Sequence, residues 1–170
     1  MAATDPFVIV IMGVSGSGKT TIGELLSQKL SLPFYDADDF HTEENVIKMS
    51  GGIPLTDDDR LPWLLKLAKQ IKKWKKGSGA ILACSALKES YRKILNEADQ
   101  NIFWVYLYGK SEKIVERLEN REGHFFGPEM IKSQFETLEV PDYGIHINCH
   151  QNPETIAKLI IDKLEKFYDI

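Results

Sequence analysis

The chain has 170 residues, and 21 basic against 25 acidic side chains give it a formal net charge of −4. Hydrophobic residues make up 43% of it and charged residues 27%, which is typical of a globular protein and unlike a disordered, collagenous or membrane protein. The acidic balance argues against a nucleic-acid partner. Two cysteines are too few for a disulfide scaffold, and the opening MAATDP lacks the basic start of a signal peptide. We therefore expect a cytoplasmic protein that forms a single domain over 1–170.

Short apolar runs alternate along the chain with segments of helical periodicity. The patterns predict, in chain order, a strand over 7–12, a helix over 20–30, a strand over 34–36, and helices over 42–50 and 61–76. They then predict a strand over 80–84, a helix over 88–96, a strand over 102–108, helices over 112–122 and 129–138, a strand over 145–149 and a helix over 153–168. This alternation predicts an α/β fold with a parallel sheet and helices on both of its faces. Ligands of such sheets bind at the carboxyl ends of the strands, so the residues after each strand are the candidate site.

The segment after the first predicted strand, GVSGSGKT, matches the pattern G-x-x-x-x-G-K-[ST] between a strand and a helix. Its glycines allow a turn in which backbone N–H groups point inward and form a nest for phosphates. Lys19 can reach the outer phosphates, and the Thr20 hydroxyl group can bind Mg²⁺. The alternative, a plain glycine-rich turn, does not account for both the pattern and its context. We therefore predict a nucleoside triphosphate site made of Gly13, Ser15, Gly16, Ser17, Gly18, Lys19, Thr20 and Thr21.

Two aspartates, Asp36 and Asp38, follow the second predicted strand. They lie two residues apart, so in an extended segment their side chains point in the same direction. Beside a phosphate loop, carboxylates can hold Mg²⁺ through water or accept a proton from an attacking hydroxyl group. The alternative is a solvated turn with an aspartate that caps the helix over 42–50, which fits Asp39. No aspartate ends the third strand, where many P-loop proteins hold magnesium, so Asp36 is our candidate for that role.

Three basic residues predict a cationic pocket. Arg60 stands at the start of a helix in which Pro62 must lie in the first turn, so we expect this helix to begin near 58–60. A cation is mildly unfavourable there and needs an anionic partner, either a neighbouring aspartate or the carboxylate of a ligand. Lys88 and Arg92 follow the third strand on one face of the next helix. The three residues can bind an acidic acceptor, and the alternative for the last two is a solvated helix face.

A second arginine pair precedes a segment bounded by glycines. Arg117 and Arg121 share one helix face, and GHFFG then breaks the helix. Arginines supply charge for a transferring phosphoryl group, and glycines supply hinges for a segment that closes over it, so we predict a lid over 121–130. The alternative is a set of ordinary Glu–Arg pairs along the helix. His124 in this segment and Gln134 on the next helix are further candidates.

Five segments together resemble the gluconokinases, the small P-loop kinases that phosphorylate D-gluconate. They are GVSGSGKT, YDADDFH with Asn45 and Lys48 after it, PLTDDDRLPW, CSALKESYR, and REGHFF with QFETLE, in this order from Gly13 to Glu139. The resemblance implies the three-layer P-loop kinase fold of nucleoside monophosphate and shikimate kinases, with a five-stranded parallel sheet of order 2-3-1-4-5 and a lid. It also implies a homodimer, and the reaction of ATP with D-gluconate to give 6-phosphogluconate and ADP.

The resemblance gives the acceptor-side candidates roles in this reaction. The carboxylate of gluconate is expected to contact Arg60, Lys88 and Arg92. Its 6-hydroxyl group is expected to lie near Asp38, which accepts its proton or orients it. The remaining residues assigned to the acceptor are His41, His124 and Gln134.

The nucleotide-side candidates divide between charge neutralisation and binding. Lys19 and Arg121 are expected to neutralise the transferring phosphoryl group. Thr20 and Asp36 are expected to hold magnesium. Arg117, at the base of the lid, is expected to pack on adenine.

Overall fold

The structure is a computed structural model that describes residues 5–121 and 128–170. Its five strands form one sheet in the order β2-β3-β1-β4-β5, and every neighbouring pair is parallel. The predicted parallel sheet of order 2-3-1-4-5 is therefore confirmed. The strands are β1 Val8–Met12, β2 Phe34–Asp36, β3 Ala80–Ala83, β4 Phe103–Tyr108 and β5 Ile145–Asn148.

Helices cover both faces of this sheet. They are α1 Lys19–Leu30, a 3-10 helix Ala37–Phe40, α2 Glu43–Ser50, α3 Asp57–Lys76, α4 Glu89–Asn96, α5 Ser111–Glu119, α6 Pro128–Thr137 and α7 Pro153–Tyr168. Alternate side chains of a strand point to opposite faces, so β1 contributes to two cores. Ile9 and Ile11 pack with residues of α1, α5 and α7, while Val8 and Val10 pack with residues of α3 and α4. The central strand is fully buried because it is covered on both faces.

The start of α3 differs from the prediction. The helix begins at Asp57, so Pro62 lies in its second turn and deprives the Asp58 carbonyl of a helical donor. A capping box fixes this earlier start, because Thr56 Oγ1 accepts from the Asp59 N–H at 3.1 Å and Asp59 Oδ2 accepts from the Thr56 N–H at 2.9 Å. The prediction that Pro62 lies in the first turn was wrong.

The turn after β2 also differs from the extended segment that the sequence suggested. Asp38 lies in the 3-10 helix, and the Asp36 carboxylate caps that helix by accepting from the Asp38 N–H at 2.9 Å. Thr42, rather than Asp39, caps α2, because its side chain accepts from the Asn45 N–H. The tight turn keeps both carboxylates at the carboxyl end of β2.

The segment predicted to be a lid falls mostly outside the described residues. The described chain continues from α5 to Arg121 and resumes at Pro128, where α6 begins. Within the described ranges, no helix has the length and apolar character needed to cross a membrane.

Candidate active site

The loop between β1 and α1 has the conformation of a phosphate nest. Gly13, Gly16 and Gly18 have φ values of 148°, 82° and 97°, which L side chains rarely adopt. A Cβ atom on Gly13 would lie 2.7 Å from the carbonyl oxygen of Leu107, so the loop approaches β4 too closely for any other residue. The Lys19 ammonium group donates to the Gly13 carbonyl at 2.9 Å and to the Val14 carbonyl at 3.0 Å, which draws the lysine back over the loop.

The loop opens into a cleft of about 200 Å³ at the carboxyl ends of the strands. The cleft contains most of the residues predicted to bind nucleotide and metal. Gly13 and Ser17 pack against each other within the loop, because a Cβ on Gly13 would lie 2.8 Å from the Ser17 Oγ. The predicted residues that line the cleft are Ser15, Gly16, Gly18, Lys19, Thr20, Thr21, Asp36, Asp38 and Arg121.

One buried cation and two carboxylates set the electrostatics of this cleft. Burial lowers the pKa of Lys19, and the negative charge of Asp38 opposes that shift. The surrounding protein desolvates Asp38 and raises its pKa, although its side chain is 78% exposed toward the cleft. Burial also raises the pKa of Asp36, while the hydrogen bond from the Asp38 N–H lowers it. The cleft therefore pairs a phosphate-binding cation with carboxylates that can bind a metal or a proton.

His41 lies next to Asp38 at the edge of the cleft and is held as a neutral imidazole. Its ring stacks on Trp63 with centroids 4.2 Å apart, and its Nε2 lies 3.8 Å from an oxygen of Asp38. Burial lowers the pKa of His41 to about 4, and the positive charge of Arg60 adds to the shift. The Asn45 Nδ2 atom lies 3.3 Å from His41 Nδ1, and because an amide nitrogen donates, we assign the imidazole proton to Nε2.

We expect His41 to make the stability of the protein pH-dependent. The folded chain holds its pKa near 4, against 6.5 for an unperturbed histidine, so its stabilising effect is present above pH 6.5 and is lost as pH falls toward 4. Urea unfolding of His41→Gln from pH 7 to pH 4.5 should therefore show a smaller loss of stability than wild type does. The exposed His146 supplies the control, and an equal change in His146→Gln would contradict the assignment.

The structure brings Arg60 and Lys88 together around Tyr91. Both cations lie over the Tyr91 ring at 5.6 Å from its centroid, and Arg60 Nη1 donates to the Leu55 carbonyl at 2.6 Å. Lys88 Nζ donates to the two carboxylate oxygens of Asp57 at 3.0 and 3.1 Å, and the Tyr91 hydroxyl group donates to the same carboxylate. We use the name cationic group for the two cations Arg60 and Lys88 together with Tyr91, whose ring both of them lie over. Sequence reasoning missed Tyr91, although its position three residues after Lys88 on one helix was a usable signal.

Arg92 does not belong to the cationic group, which corrects the prediction that it binds the acceptor. Only 1% of the residue is exposed, and its guanidinium nitrogens donate to protein oxygens at 2.6 to 3.2 Å. These bonds hold the turn before α4, where Ala86 has a φ of 45°. The acceptors are the carbonyl oxygens of Ala86, Leu87 and Glu139, the Glu89 carboxylate and the Tyr143 hydroxyl group.

Replacing Arg92 by methionine should destabilise the fold by about 3 kcal/mol, because several buried acceptors lose their donor at once. Arg92→Lys should lose most of the same stability, since an ammonium group cannot reproduce the planar fork. Urea unfolding measures both, with Lys93→Met on the exposed face of α4 as control. A stable Arg92→Met protein with a raised KM for the acceptor would restore the original prediction.

Arg117 belongs to α5, and its side chain contacts the phosphate loop. Its Nη1 donates to the Gly16 carbonyl at 3.2 Å and its Nη2 to the Cys149 carbonyl at 3.1 Å, with His150 Nδ1 at 3.4 Å. This position is compatible with the predicted contact to the nucleotide. Sequence reasoning missed Cys149 and His150, because they follow the weakly patterned β5 and are far from Arg117 in the chain.

Gln134 also contacts the phosphate loop, whereas the sequence analysis assigns it to the acceptor. Its Oε1 accepts from the Ser15 N–H at 2.7 Å, and its Nε2 donates to the Ser15 Oγ at 3.0 Å. Both ends of the amide are thus engaged, and the residue ties α6 to the loop. His124, the other acceptor candidate near the predicted lid, lies outside the described residues.

The sheet order, the phosphate nest and the flanking carboxylates define a P-loop kinase fold and site. The shikimate kinase family matches residues 15–141 of the chain. A probable gluconokinase of Rattus norvegicus is 42% identical, over 94% of this chain and 98% of its own, and the gluconokinase of Gluconobacter oxydans is 41% identical, over 92% and 90%. The crystal structure of a gluconokinase from Sinorhizobium meliloti superposes with a TM-score of 0.88 at 36% identity, over 98% and 96% of the two chains. The chain belongs to the gluconokinases, within the shikimate kinase-like P-loop kinases, which confirms the resemblance seen in the sequence.

Proposed function

We propose that this protein transfers the terminal phosphoryl group of ATP to the 6-hydroxyl group of D-gluconate and releases 6-phospho-D-gluconate and ADP. The observation that carries the proposal is a phosphate nest with two carboxylates, connected through His41 to Arg60 of the cationic group, in a chain similar to gluconokinases over nearly its full length. The nest suits the nucleotide, and the cationic group suits the carboxylate of a sugar acid.

On the nucleotide side, the backbone of the phosphate loop and Lys19 bind the phosphates, and Arg121 adds a second positive charge at the cleft. The Thr20 hydroxyl group and the Asp36 carboxylate line the same cleft and fit magnesium, which prefers oxygen ligands. Among the described residues, no cluster of three or more metal-ligating side chains could hold a metal ion by itself, so magnesium would bind together with the phosphates. The chemistry supplied by magnesium at this place is neutralisation of phosphate charge.

On the acceptor side, Asp38 orients the 6-hydroxyl group or accepts its proton, and His41 lies beside it as a neutral group. Lys88 and Arg60 bind the carboxylate at the other end of gluconate. The transition state of phosphoryl transfer is loose, so the placement of the hydroxyl group and the neutralisation of charge contribute more than the strength of the base.

The test is ADP release with Mg-ATP in the presence of D-gluconate, compared with shikimate, nucleoside monophosphates and no acceptor. D-gluconate alone should stimulate the release strongly. Stimulation by shikimate or a nucleotide would indicate a related kinase with a different acceptor. ATP hydrolysis that no acceptor changes would indicate an ATP-dependent switch.

Replacing Lys88 by alanine should raise the KM for gluconate about tenfold and leave the KM for ATP near its wild-type value. The acceptor loses one charge-assisted hydrogen bond, and the partial exposure of Lys88 keeps the effect moderate. Steady-state kinetics with each substrate varied in turn measure the two constants. Lys93→Ala on the same helix is the matched control, and parallel changes in both constants would argue against the acceptor contact.

Three further features are proposed: a cytoplasmic location and a single domain with a lid over 121–130, both from the sequence patterns, and a homodimer from the family resemblance. Light scattering of the purified chain tests the dimer directly. A monomer at micromolar concentration would contradict it.

A further inference from the structure

We infer that the Asp57 carboxylate competes with the carboxylate of the acceptor for the same donors, so that Asp57 limits the affinity of the site for sugar acids. This inference rests on the proposed function, because it assigns the cationic group to the acceptor carboxylate. Asp57 would lower the affinity of this pocket for the acceptor, whereas the other residues proposed for the pocket bind the acceptor.

The contacts of Asp57 are those that a bound carboxylate would need. Both of its oxygens accept from Lys88 Nζ, at 3.0 and 3.1 Å, and one of them also accepts from the Tyr91 hydroxyl group. Arg60 lies next to this arrangement, with its guanidinium group over the Tyr91 ring and Nη1 3.4 Å from the Tyr91 hydroxyl oxygen. A terminal carboxylate of a sugar acid has the same planar pair of acceptor oxygens. Asp57 takes the single proton of the Tyr91 hydroxyl group and two of the three donors of Lys88, so a second carboxylate cannot make the same set of contacts while Asp57 makes them.

Asp57 is held loosely enough to be displaced. Its side chain is 61% exposed, and Lys88 and Tyr91 are the side chains with which it is hydrogen-bonded in the described chain. The neighbouring Asp59 is different, because Lys48 contacts both of its oxygens at 2.8 and 2.9 Å and the Thr56 capping box includes it. Exposed ion pairs such as Asp57–Lys88 are weak, so exchange for a ligand carboxylate has a low cost.

The start of α3 does not depend on the contact between Asp57 and Lys88. Thr56 caps the helix, and the reciprocal bonds with Asp59 complete the capping box. When Asp57 releases Lys88, the first turn of α3 therefore keeps its cap. The Asp57 carboxylate can therefore leave Lys88 while the start of α3 stays in place, as a competitor for the donors requires.

The experiment compares Asp57→Asn with Asp58→Asn in gluconate-dependent ADP release at two salt concentrations. Both variants remove one negative charge from the first turn of α3, but Asp58 makes no described contact with Lys88 or Tyr91. Asp57→Asn should lower the KM for gluconate about two- to fivefold and leave the KM for ATP unchanged, while Asp58→Asn changes neither. Asp57→Ser, which keeps a small polar side chain in the first turn, should give the same gain if the asparagine variant folds poorly.

The Lys88→Ala background separates competition from a general charge effect. In that background, Asp57→Asn should lower the KM for gluconate by a smaller factor than in the wild type, because Lys88 is gone and only the Tyr91 hydroxyl group is still contested. An unchanged or raised KM for gluconate in both Asp57 variants, with wild-type turnover intact, would overturn the inference and make Asp57 a support of the pocket. Wild-type protein that does not respond to gluconate would instead refute the proposed function, and the inference with it.

Discussion

Replacing Lys19 by alanine is expected to lower kcat for gluconate phosphorylation by about a hundredfold to a thousandfold. The ammonium group lies over the phosphate loop, where it donates to the carbonyls of Gly13 and Val14. It lines the cleft together with Asp36 and Asp38, where we propose that it neutralises the transferring phosphoryl group. Charge that develops on that group in the transition state would lose its main protein partner. ADP release under saturating substrates measures the effect.

The control for Lys19→Ala is Lys29→Ala on the same helix. Lys29 pairs with Glu154 at 2.9 Å on the surface, outside the cleft, so its removal should leave turnover unchanged. Thermal unfolding of both variants shows whether the loop change affects the fold. Turnover of folded Lys19→Ala near the wild-type value would remove the basis for assigning phosphate binding to this loop.

Replacing Asp38 by asparagine is expected to lower kcat by about a hundredfold or more, with little change in the KM for ATP. Asparagine keeps the shape of the side chain but cannot accept a proton, and it places an amide beside Lys19. Asp39→Asn is the matched control, because this neighbouring carboxylate is exposed and does not line the cleft. Equal effects of the two substitutions would show that general charge near the cleft, and not Asp38, carries the activity.

The pH profile provides a second measurement on Asp38. Desolvation by the surrounding protein raises the pKa of Asp38 and of Asp36, and the role proposed for each requires its ionised form. Activity should therefore be retained above the raised pKa values and fall as pH decreases through them, earlier than ordinary aspartates would allow. The negative charge of Asp38 adds to the raised pKa of Asp36, so the acid limb should change in Asp38→Asn and also in Asp36→Asn. An acid limb unaltered in both variants would contradict the assignment.

The features that the sequence predicted well are local. The phosphate loop is a contiguous segment whose glycines and lysine fix its own geometry, and its strand and helix follow from apolar periodicity. Lys88 directly follows the third strand, so its place at the carboxyl edge of the sheet was predictable from the order of the elements. The sheet order came from the family resemblance and is confirmed by the strand pairing.

The errors concern side chains whose partners are distant in the chain. Lys88 and Arg92 are four residues apart, yet Arg92 points into the protein to reach the carbonyl of Glu139 and the hydroxyl group of Tyr143. Gln134 reaches Ser15 across 119 positions. Local spacing gives the face of a helix on which a residue lies, but not the partners that the rest of the chain brings to that face.

The sequence by itself determined the alternation of strands and helices, the phosphate nest and the family, because each rests on contiguous residues or on ordered motifs. Only the tertiary structure decided which of the predicted cations lie together at the surface and which one is buried. It buried Arg92 among oxygens from two parts of the chain, 86–89 and 139–143, and it paired Asp57 at the start of α3 with Lys88 at the start of α4. A buried charge must satisfy its donors or acceptors wherever the fold provides partners, and that requirement is met in space and not along the chain.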